Sequence, residues 1–240
     1  MEQAPPNVGH GMTSKKSRRK TTYKNADNKP LAELLPKTPK QKEYLDALET
    51  GEQIIVLGPA GTGKTYMAAT YASNLYTLKE IDKIIITRPN VAAGKSIGYF
   101  PGTLEEKMMP WVMPVLEVLH WNLGKGAVET GIKNGNIEIA PFETMRGRSF
   151  QDAFVILDEA QNVTPHEMKM FLTRVGENCK VVLNGDIMQS DLGEVSGLSK
   201  AIHLAKKHMI PVPVIEFTSD DIVRSALCKQ WIMAFMKEGL

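Results

Sequence analysis

Short apolar runs recur along the chain, and longer stretches with helical spacing separate them. The runs are rich in β-branched residues and do not alternate with polar residues, which is typical of strands buried on both faces of a parallel sheet. They are Gln53–Leu57, Lys83–Thr87, Ile137–Ala140, Ala153–Asp158, Lys180–Asn184 and Val212–Phe217. Because strands and helices alternate, the pattern predicts a doubly wound α/β domain over residues 38–240, with helices on both faces of a mostly parallel sheet.

Two helix starts are marked by capping residues. Thr38 precedes Pro39, and Gln41 stands three positions after Thr38, so the sequence predicts a capping box at this start. Thr164 and Glu167 have the same spacing and predict a second capping box.

The composition is that of an ordinary globular protein. The 240 residues are 42% hydrophobic and 23% charged, which excludes wholesale disorder and allows one large domain. No window approaches about 18 uninterrupted apolar residues, so we expect no membrane span. Pro5, Pro6 and the lysines after them stand where a signal peptide needs an apolar core. With two cysteines, Cys179 and Cys228, too few for a disulfide framework, these features predict a cytoplasmic protein.

The positive charge is concentrated at the N-terminus. Residues 1–30 carry seven basic and two acidic residues, a net charge of +5, whereas the rest of the chain carries −3. We therefore expect a basic, disordered extension over residues 1–37 that precedes the folded domain. Two roles stay open for it: contact with a nucleic-acid backbone, and simple solubilisation.

A phosphate-binding loop follows the first predicted strand. The segment fits G-x-x-x-x-G-K-[ST], and it precedes a helical run, as this motif requires. Backbone N–H groups of such a loop surround phosphates, the lysine reaches the β- and γ-phosphates, and the hydroxyl binds Mg²⁺. The segment therefore predicts ATP and Mg²⁺ as ligands. Its residues are Gly58, Pro59, Ala60, Gly61, Thr62, Gly63, Lys64 and Thr65.

Polar residues also follow two later strands. Asp158 ends an apolar run, where a carboxylate can bind Mg²⁺, and the adjacent Glu159 is suited to act as general base for an attacking water. Asp186 and Gln189 follow the next run, and the Gln189 amide can bind a γ-phosphate or its water. Carboxyl ends of parallel strands share one edge of the sheet, so we expect these residues near Lys64.

Together these motifs resemble the PhoH family, whose single core is related to superfamily 1 helicases. The phosphate loop, Asp-Glu-Ala-Gln-Asn at 158–162 and Gly-Asp-x-x-Gln at 185–189 occur in the family's order. Residues 88–94 and 98–102, 145–148 and 221–224 add to the resemblance, which covers about 38–240. Lys95 departs from the family's usual acid, and residues 1–30 have no counterpart.

The resemblance implies a RecA-like P-loop fold and ATP hydrolysis coupled to RNA or single-stranded DNA. It also implies that Gln41 corresponds to the adenine-reading glutamine of superfamily 1, although a capping box alone explains that residue. Arg88 would lie near the nucleic-acid groove, or form a structural salt bridge.

The resemblance further suggests a ring, most simply a hexamer. A single core needs an arginine finger from elsewhere, worth roughly 10³–10⁵ in rate, and the next copy of the chain is a straightforward source. Arg224 is the first choice, with Arg146 and Arg148 as runners-up that could instead contact nucleic acid.

The position of Arg224 depends on where the last helix starts. Asp220 and Asp221 favour a start near Ser219, since the helix macrodipole stabilises acidic groups in the first turn. Arg224 would then lie in the first turns of that helix. Pairing with either aspartate is the alternative to a finger.

The stretch from Tyr99 to Trp121 allows two interpretations. Tyr99, Phe100, Trp111 and Trp121 could form a stacking platform for single strands. Met108, Met109, Val112, Val115, Leu116 and Leu119 instead form a helix face, and we favour a core or interface role for the stretch.

Two other functional classes remain possible. An ATP-controlled assembly switch keeps the same motifs. A small-molecule P-loop kinase is less favoured, because kinases normally lack an acid such as Glu159 next to the Mg²⁺ aspartate.

Overall fold

A computed structural model describes residues 30–89, 104–145, 147–192 and 195–238. Within these residues, the helices are α1 (Pro39–Thr50), α2 (Lys64–Thr77), α3 (Leu104–Leu123), α4 (Lys125–Asn134), α5 (Pro165–Leu172), α6 (Gly197–Lys207) and α7 (Ala226–Lys237). The strands are β1 (Gln53–Leu57), β2 (Lys83–Thr87), β3 (Ile137–Ile139), β4 (Ala153–Leu157), β5 (Cys179–Gly185) and β6 (Val214–Glu216). Each strand matches its predicted run to within two residues.

The strands form one parallel sheet in the order β3-β2-β4-β5-β1-β6. The fold is therefore the predicted RecA-like P-loop architecture, in which β5 lies between β1, which leads into the phosphate loop, and β4, which leads to Asp158. Because all strands run in one direction, Leu57, Leu157 and Gly185 end at the same edge of the sheet.

Two apolar cores flank the sheet. One packs α1, α2, α3 and α4 on one face, and the other packs α5 and α6 on the opposite face. Alternate residues of the inner strands β1, β2, β4 and β5 point to the two cores, so these strands are buried on both sides, as their unbroken apolar runs predicted.

The interpretation of the α3 face as core is confirmed. Met108, Val112, Val115, Leu116 and Leu119 are buried, because this helix covers α2 and the edge of the sheet. In contrast, Met109 and Trp121 are exposed. Of the proposed stacking platform, Tyr99 and Phe100 lie outside the described residues, while Trp111 is half-buried and Trp121 is exposed on α3.

The N-terminal boundary differs from the predicted one. Residues 30–37 lie along the body, where Asn74 of α2 both donates to the carbonyl and accepts from the N–H of Ala32, each at 2.9 Å. Leu34 packs against the apolar core. The packed chain therefore already includes residues before 38.

Among the described residues, no helix is both long and apolar enough to cross a membrane.

Candidate active site

The phosphate loop has the backbone conformation that its glycines predict. Gly58, Gly61 and Gly63 have φ angles of 130°, 85° and 90°, which favour glycine. A side chain on Gly58 would also clash with the Phe217 carbonyl oxygen, which is 2.5 Å from the position of a Cβ. Helix α2 starts at Lys64, within the loop motif, and has no side-chain cap, so the N–H groups of its first turn are available to an anion.

Lys64 lies across this loop. Its ammonium group donates to the carbonyl oxygens of Gly58 and Pro59, the latter at 2.9 Å. Burial lowers the pKa of Lys64, while the nearby Asp186 and Asp158 carboxylates act in the opposite direction. Lys64 also lines the cavity at the N-terminus of α2, where a phosphate would bind.

Thr65 and Asp158 meet between α2 and β4. The Thr65 Oγ1 and Asp158 Oδ1 atoms are 3.5 Å apart. Burial raises the pKa of Asp158, and the neighbouring Glu159 carboxylate raises it further. A hydroxyl and a carboxylate beside a phosphate site are oxygen ligands of the kind that Mg²⁺ prefers, so these residues fit the cation.

Glu159 is held in a strained but defined conformation. Its φ of 53° places a residue other than glycine in the left-handed region. Its Oε2 accepts a hydrogen bond of 2.6 Å from the Gln161 amide, and its Oε1 lies 3.9 Å from Arg88 Nη2. Arg88, which follows β2, therefore lines the same cavity, next to the candidate base.

Gln189 lies on the short turn after β5. Its Nε2 donates to Asp186 Oδ2 at 3.0 Å, and both residues line the same cavity as Lys64, Asp158 and Glu159. The structure thus brings together the polar residues that follow β1, β4 and β5, as expected from the shared edge of the sheet.

The cavity has a volume of about 590 Å³. Of the loop residues in the sequence motif, Gly58, Ala60, Gly61, Gly63, Lys64 and Thr65 line it. Thr62 is fully buried, and its hydroxyl donates to the Pro59 carbonyl at 3.1 Å. Thr62 therefore stabilises the loop from inside.

Gln41 lines the cavity but does not complete the predicted capping box. Thr38 Oγ1 accepts from the Gln41 N–H at 3.2 Å, which is the first half of the box. The Gln41 side chain instead accepts from the Lys37 N–H at 2.7 Å and donates to the Thr62 carbonyl at 2.9 Å. The second half of the box, a bond from the Thr38 N–H to the Gln41 side chain, is absent because that side chain joins Lys37 to the phosphate loop. One N–H of the Gln41 amide remains for a ligand, and its contact with adenine stays a prediction.

The last helix does not begin near Ser219. Thr218 and Asp221 form a capping box around the three-residue turn Ser219–Asp221, so the aspartate caps that turn, and α7 starts only at Ala226. The capping box at Thr164 and Glu167 is present as predicted.

Arg224 consequently lies before α7, at the chain's own phosphate loop. The Val223 N–H donates to the Gly61 carbonyl at 2.9 Å, and a Cβ on Gly61 would lie 3.0 Å from Arg224 Cγ. Arg224 lines the cavity, and no carboxylate among the described residues lies within 4.0 Å of its guanidinium. The alternative to a finger, pairing with Asp220 or Asp221, is therefore absent there.

The two runners-up differ. Arg148 makes a two-pronged ion pair with Glu138 of β3, with Nη2 to Oε2 at 2.8 Å, so its charge is used within the fold. Arg146 lies outside the described residues.

One residue of this site, Gln161, was not predicted from the sequence to be a site residue. Gln161 is almost fully buried, with 1% of its surface exposed, and contacts both Glu159 and the backbone of Asp186. Its place in the Asp-Glu-Ala-Gln-Asn motif was the available signal.

Comparison with known proteins places the chain in a family. The family described as PhoH-like protein matches residues 33–236. The chain belongs to the PhoH family. It is 43% identical to the Escherichia coli K12 Protein PhoH over 87% of this chain and 60% of that protein. It is 44% identical to a Bacillus subtilis PhoH-like protein over 90% of this chain and 67% of that protein.

Another PhoH-like protein and a solved structure match smaller parts of this chain. A Mycobacterium leprae PhoH-like protein is 43% identical over 83% of this chain and 58% of its own length, so this chain spans only about 60% of such relatives. The structure of the Pif1 helicase from Candida albicans is similar with a TM-score of 0.40 and 15% identity, covering 77% of this chain and 40% of that chain.

Proposed function

We propose that this PhoH-family chain is a Mg²⁺-dependent ATP hydrolase that acts together with RNA or single-stranded DNA. The observation that carries the hydrolase proposal is the convergence of Lys64, Thr65, Asp158, Glu159 and Gln189 on one cavity at one sheet edge. Family membership supports it independently.

Each residue has a role in this proposal. Lys64 and the N-terminus of α2 bind the phosphates, and Thr65 and Asp158 hold the cation. The bound Mg²⁺ would supply charge neutralisation on the phosphate oxygens. Glu159 orients the attacking water and accepts its proton, and Gln189 contacts the γ-phosphate or the water.

Arg224 is proposed to act in cis. Because its side chain lies against Gly61 of the same chain and lines the cavity, it can reach a phosphate without help from a neighbouring subunit. We propose that it neutralises phosphate charge in this chain's own site, and that the chain also assembles into a ring, as the resemblance to the family suggests.

The coupling to nucleic acid rests on the resemblance of the motifs and on the basic residues 1–30. Phosphate release from ATP, measured with and without single-stranded RNA and DNA, tests it. Stimulation by either nucleic acid supports coupling, whereas an unstimulated ATPase favours the assembly switch. Phosphate transfer to a metabolite would favour the kinase.

A further inference from the structure

The short turn after β4 carries a buried amide that touches two parts of the site. Gln161 lies on the turn Ala160–Asn162, and its side chain is enclosed in the protein and does not line the cavity. A buried amide is costly unless its donor and its acceptor are both used. Both are used here, and both partners, Glu159 and Asp186, line the cavity.

The two contacts lead to different motifs. Gln161 Nε2 donates to Glu159 Oε2 at 2.6 Å, and Gln161 Oε1 accepts from the Asp186 N–H at 3.0 Å. Since Asp186 Oδ2 accepts from Gln189 Nε2 at 3.0 Å, one continuous chain of hydrogen bonds runs from Glu159 through Gln161 and Asp186 to Gln189.

The end of β5 is shaped to admit this amide. A Cβ on Gly185 would lie 3.0 Å from Gln161 Oε1 and 3.2 Å from the Gln161 backbone nitrogen. It would also lie 2.5 Å from Leu198 Cδ2 of α6, so a larger residue would push the strand end away from the turn. The close approach therefore depends on glycine at this position.

The segment after β5 is anchored to the same turn at its far end. Asn162 Oδ1 accepts from the Asp191 N–H at 2.8 Å, and Ser190 Oγ donates to the Gln161 carbonyl at 3.2 Å. Residues 186–191, which carry Gln189, are thus attached at both ends to the turn that follows Glu159. A displacement of this segment is transmitted to the turn through these bonds.

We propose that Gln161 is a positioning residue that orients the Glu159 carboxylate and couples it to the Gln189 segment. Gln161 Nε2 fixes Glu159 Oε2, so that Glu159 Oε1, which faces Arg88, is left to contact a water. The acceptor of the amide holds the start of residues 186–191. This inference rests on the proposed role of Glu159 as general base.

Two variants separate the two contacts. Gln161→Met removes both hydrogen bonds at similar volume. Gln161→Glu keeps an acceptor for the Asp186 N–H but places a second acid against Glu159, so that the two acids compete for one proton. Asn74→Leu is the matched control, because Asn74 also joins two segments by two hydrogen bonds, but with Ala32 and outside the cavity.

Steady-state ATP hydrolysis and binding of a fluorescent ATP analogue are measured for all variants. We expect both Gln161 variants to lower kcat by about tenfold or more, as for a misplaced base, with nucleotide affinity changed less than about threefold. Asn74→Leu should lower the Tm while keeping kcat. A Gln161→Met protein with wild-type kcat would reduce Gln161 to a structural support and overturn the proposal.

Hydrogen exchange tests the coupling without catalysis. ATP binding should alter amide exchange of residues 186–191 in the wild-type protein and in Gln161→Glu, but less in Gln161→Met. An equal change in all three proteins overturns the coupling. If the wild-type chain binds ATP but hydrolyses none, the proposed function fails, and this measurement still decides the coupling.

Discussion

At the residue scale, burial and neighbouring charge oppose each other in the candidate active site. Burial lowers the pKa of Lys64 and raises the pKa of Asp158, so it disfavours the charged form of both groups. The charge of Lys64 lowers the pKa of Asp158, and the charge of Asp158 raises the pKa of Lys64, so each opposes the effect of burial on the other. A nucleotide with its cation would supply the missing partners, which explains why such groups are kept buried here.

The first prediction concerns Lys64. Lys64→Ala should abolish ATP hydrolysis and weaken ATP binding, since the β- and γ-phosphates lose their cationic partner. Lys180→Ala is a suitable control, because burial also lowers the pKa of Lys180, which does not line the cavity. Phosphate release and nucleotide titration measure the two effects. Unchanged binding and turnover in Lys64→Ala would remove the phosphate loop from the proposed function.

The second prediction concerns Glu159. Glu159→Gln should keep ATP bound but slow turnover by roughly 10²-fold or more, because the neutral amide cannot accept the proton of the attacking water. Asp158→Asn should differ by requiring a higher Mg²⁺ concentration for half-maximal hydrolysis, because the amide is a weaker ligand than the carboxylate. Single-turnover hydrolysis at a series of Mg²⁺ concentrations distinguishes the two variants. Wild-type turnover in Glu159→Gln would exclude it as the base.

At the element scale, the strands were predictable from sequence and the connections were not. A parallel strand buried on both faces needs an unbroken apolar run, so Ala153–Asp158 identified β4 directly. The position of Arg224 depends instead on a hydrogen bond between Val223 and Gly61, which are far apart in sequence. Periodicity carries no signal for such a contact, and the same holds for the side-chain contacts of Gln41 and Gln161.

The third prediction uses the ion pair that joins β3 to the following loop. Arg148→Met should lower the Tm by about 2–4 °C while ATP hydrolysis persists, because the Glu138 carboxylate loses its partner. Arg148 holds the pKa of Glu138 below its usual value of 4.5. The stabilisation is therefore present above pH 4.5 and is lost as the pH falls through the lowered pKa.

Thermal unfolding between pH 3 and pH 7 measures this effect, and the difference in Tm between the wild type and Arg148→Met should shrink toward the acidic end. Loss of ATP hydrolysis by a stably folded Arg148→Met protein would contradict a purely structural role.

At the scale of the whole molecule, the N-terminal extension, residues 1–29, is strongly basic, whereas the rest of the chain carries a net negative charge. Deleting residues 1–29 removes seven basic residues but none that lines the cavity, so basal ATP hydrolysis should persist. If the extension neutralises phosphates, binding of single-stranded RNA should weaken, and the salt slope should fall by about 0.7 for each phosphate that the shortened chain leaves unneutralised. An unchanged slope in a salt titration would assign the extension to solubility.

The last helix carries an exposed apolar stripe. Leu227, Trp231 and Phe235 lie four residues apart on α7 and are 50–65% exposed, which is unusual for apolar side chains in one stripe. If the chain forms the proposed ring, this stripe should lie at a contact between subunits. Light scattering over a range of concentrations should show assembly, and Trp231→Glu should reduce it. A persistent wild-type monomer with full ATPase activity would exclude the ring.

Mixed rings decide whether Arg224 acts within its own chain. Arg224→Ala and Lys64→Ala should each be inactive alone, since each removes a cation from the same cavity. If the arginine acts in cis, every subunit of a mixed ring still carries one defective site, and mixing should restore no activity. Recovery of ATP hydrolysis on mixing would instead require a site built from an intact Lys64 of one subunit and an intact Arg224 of the next. That outcome would mean that Arg224 leaves Gly61 on assembly, and it would replace the cis role with the finger first expected from sequence.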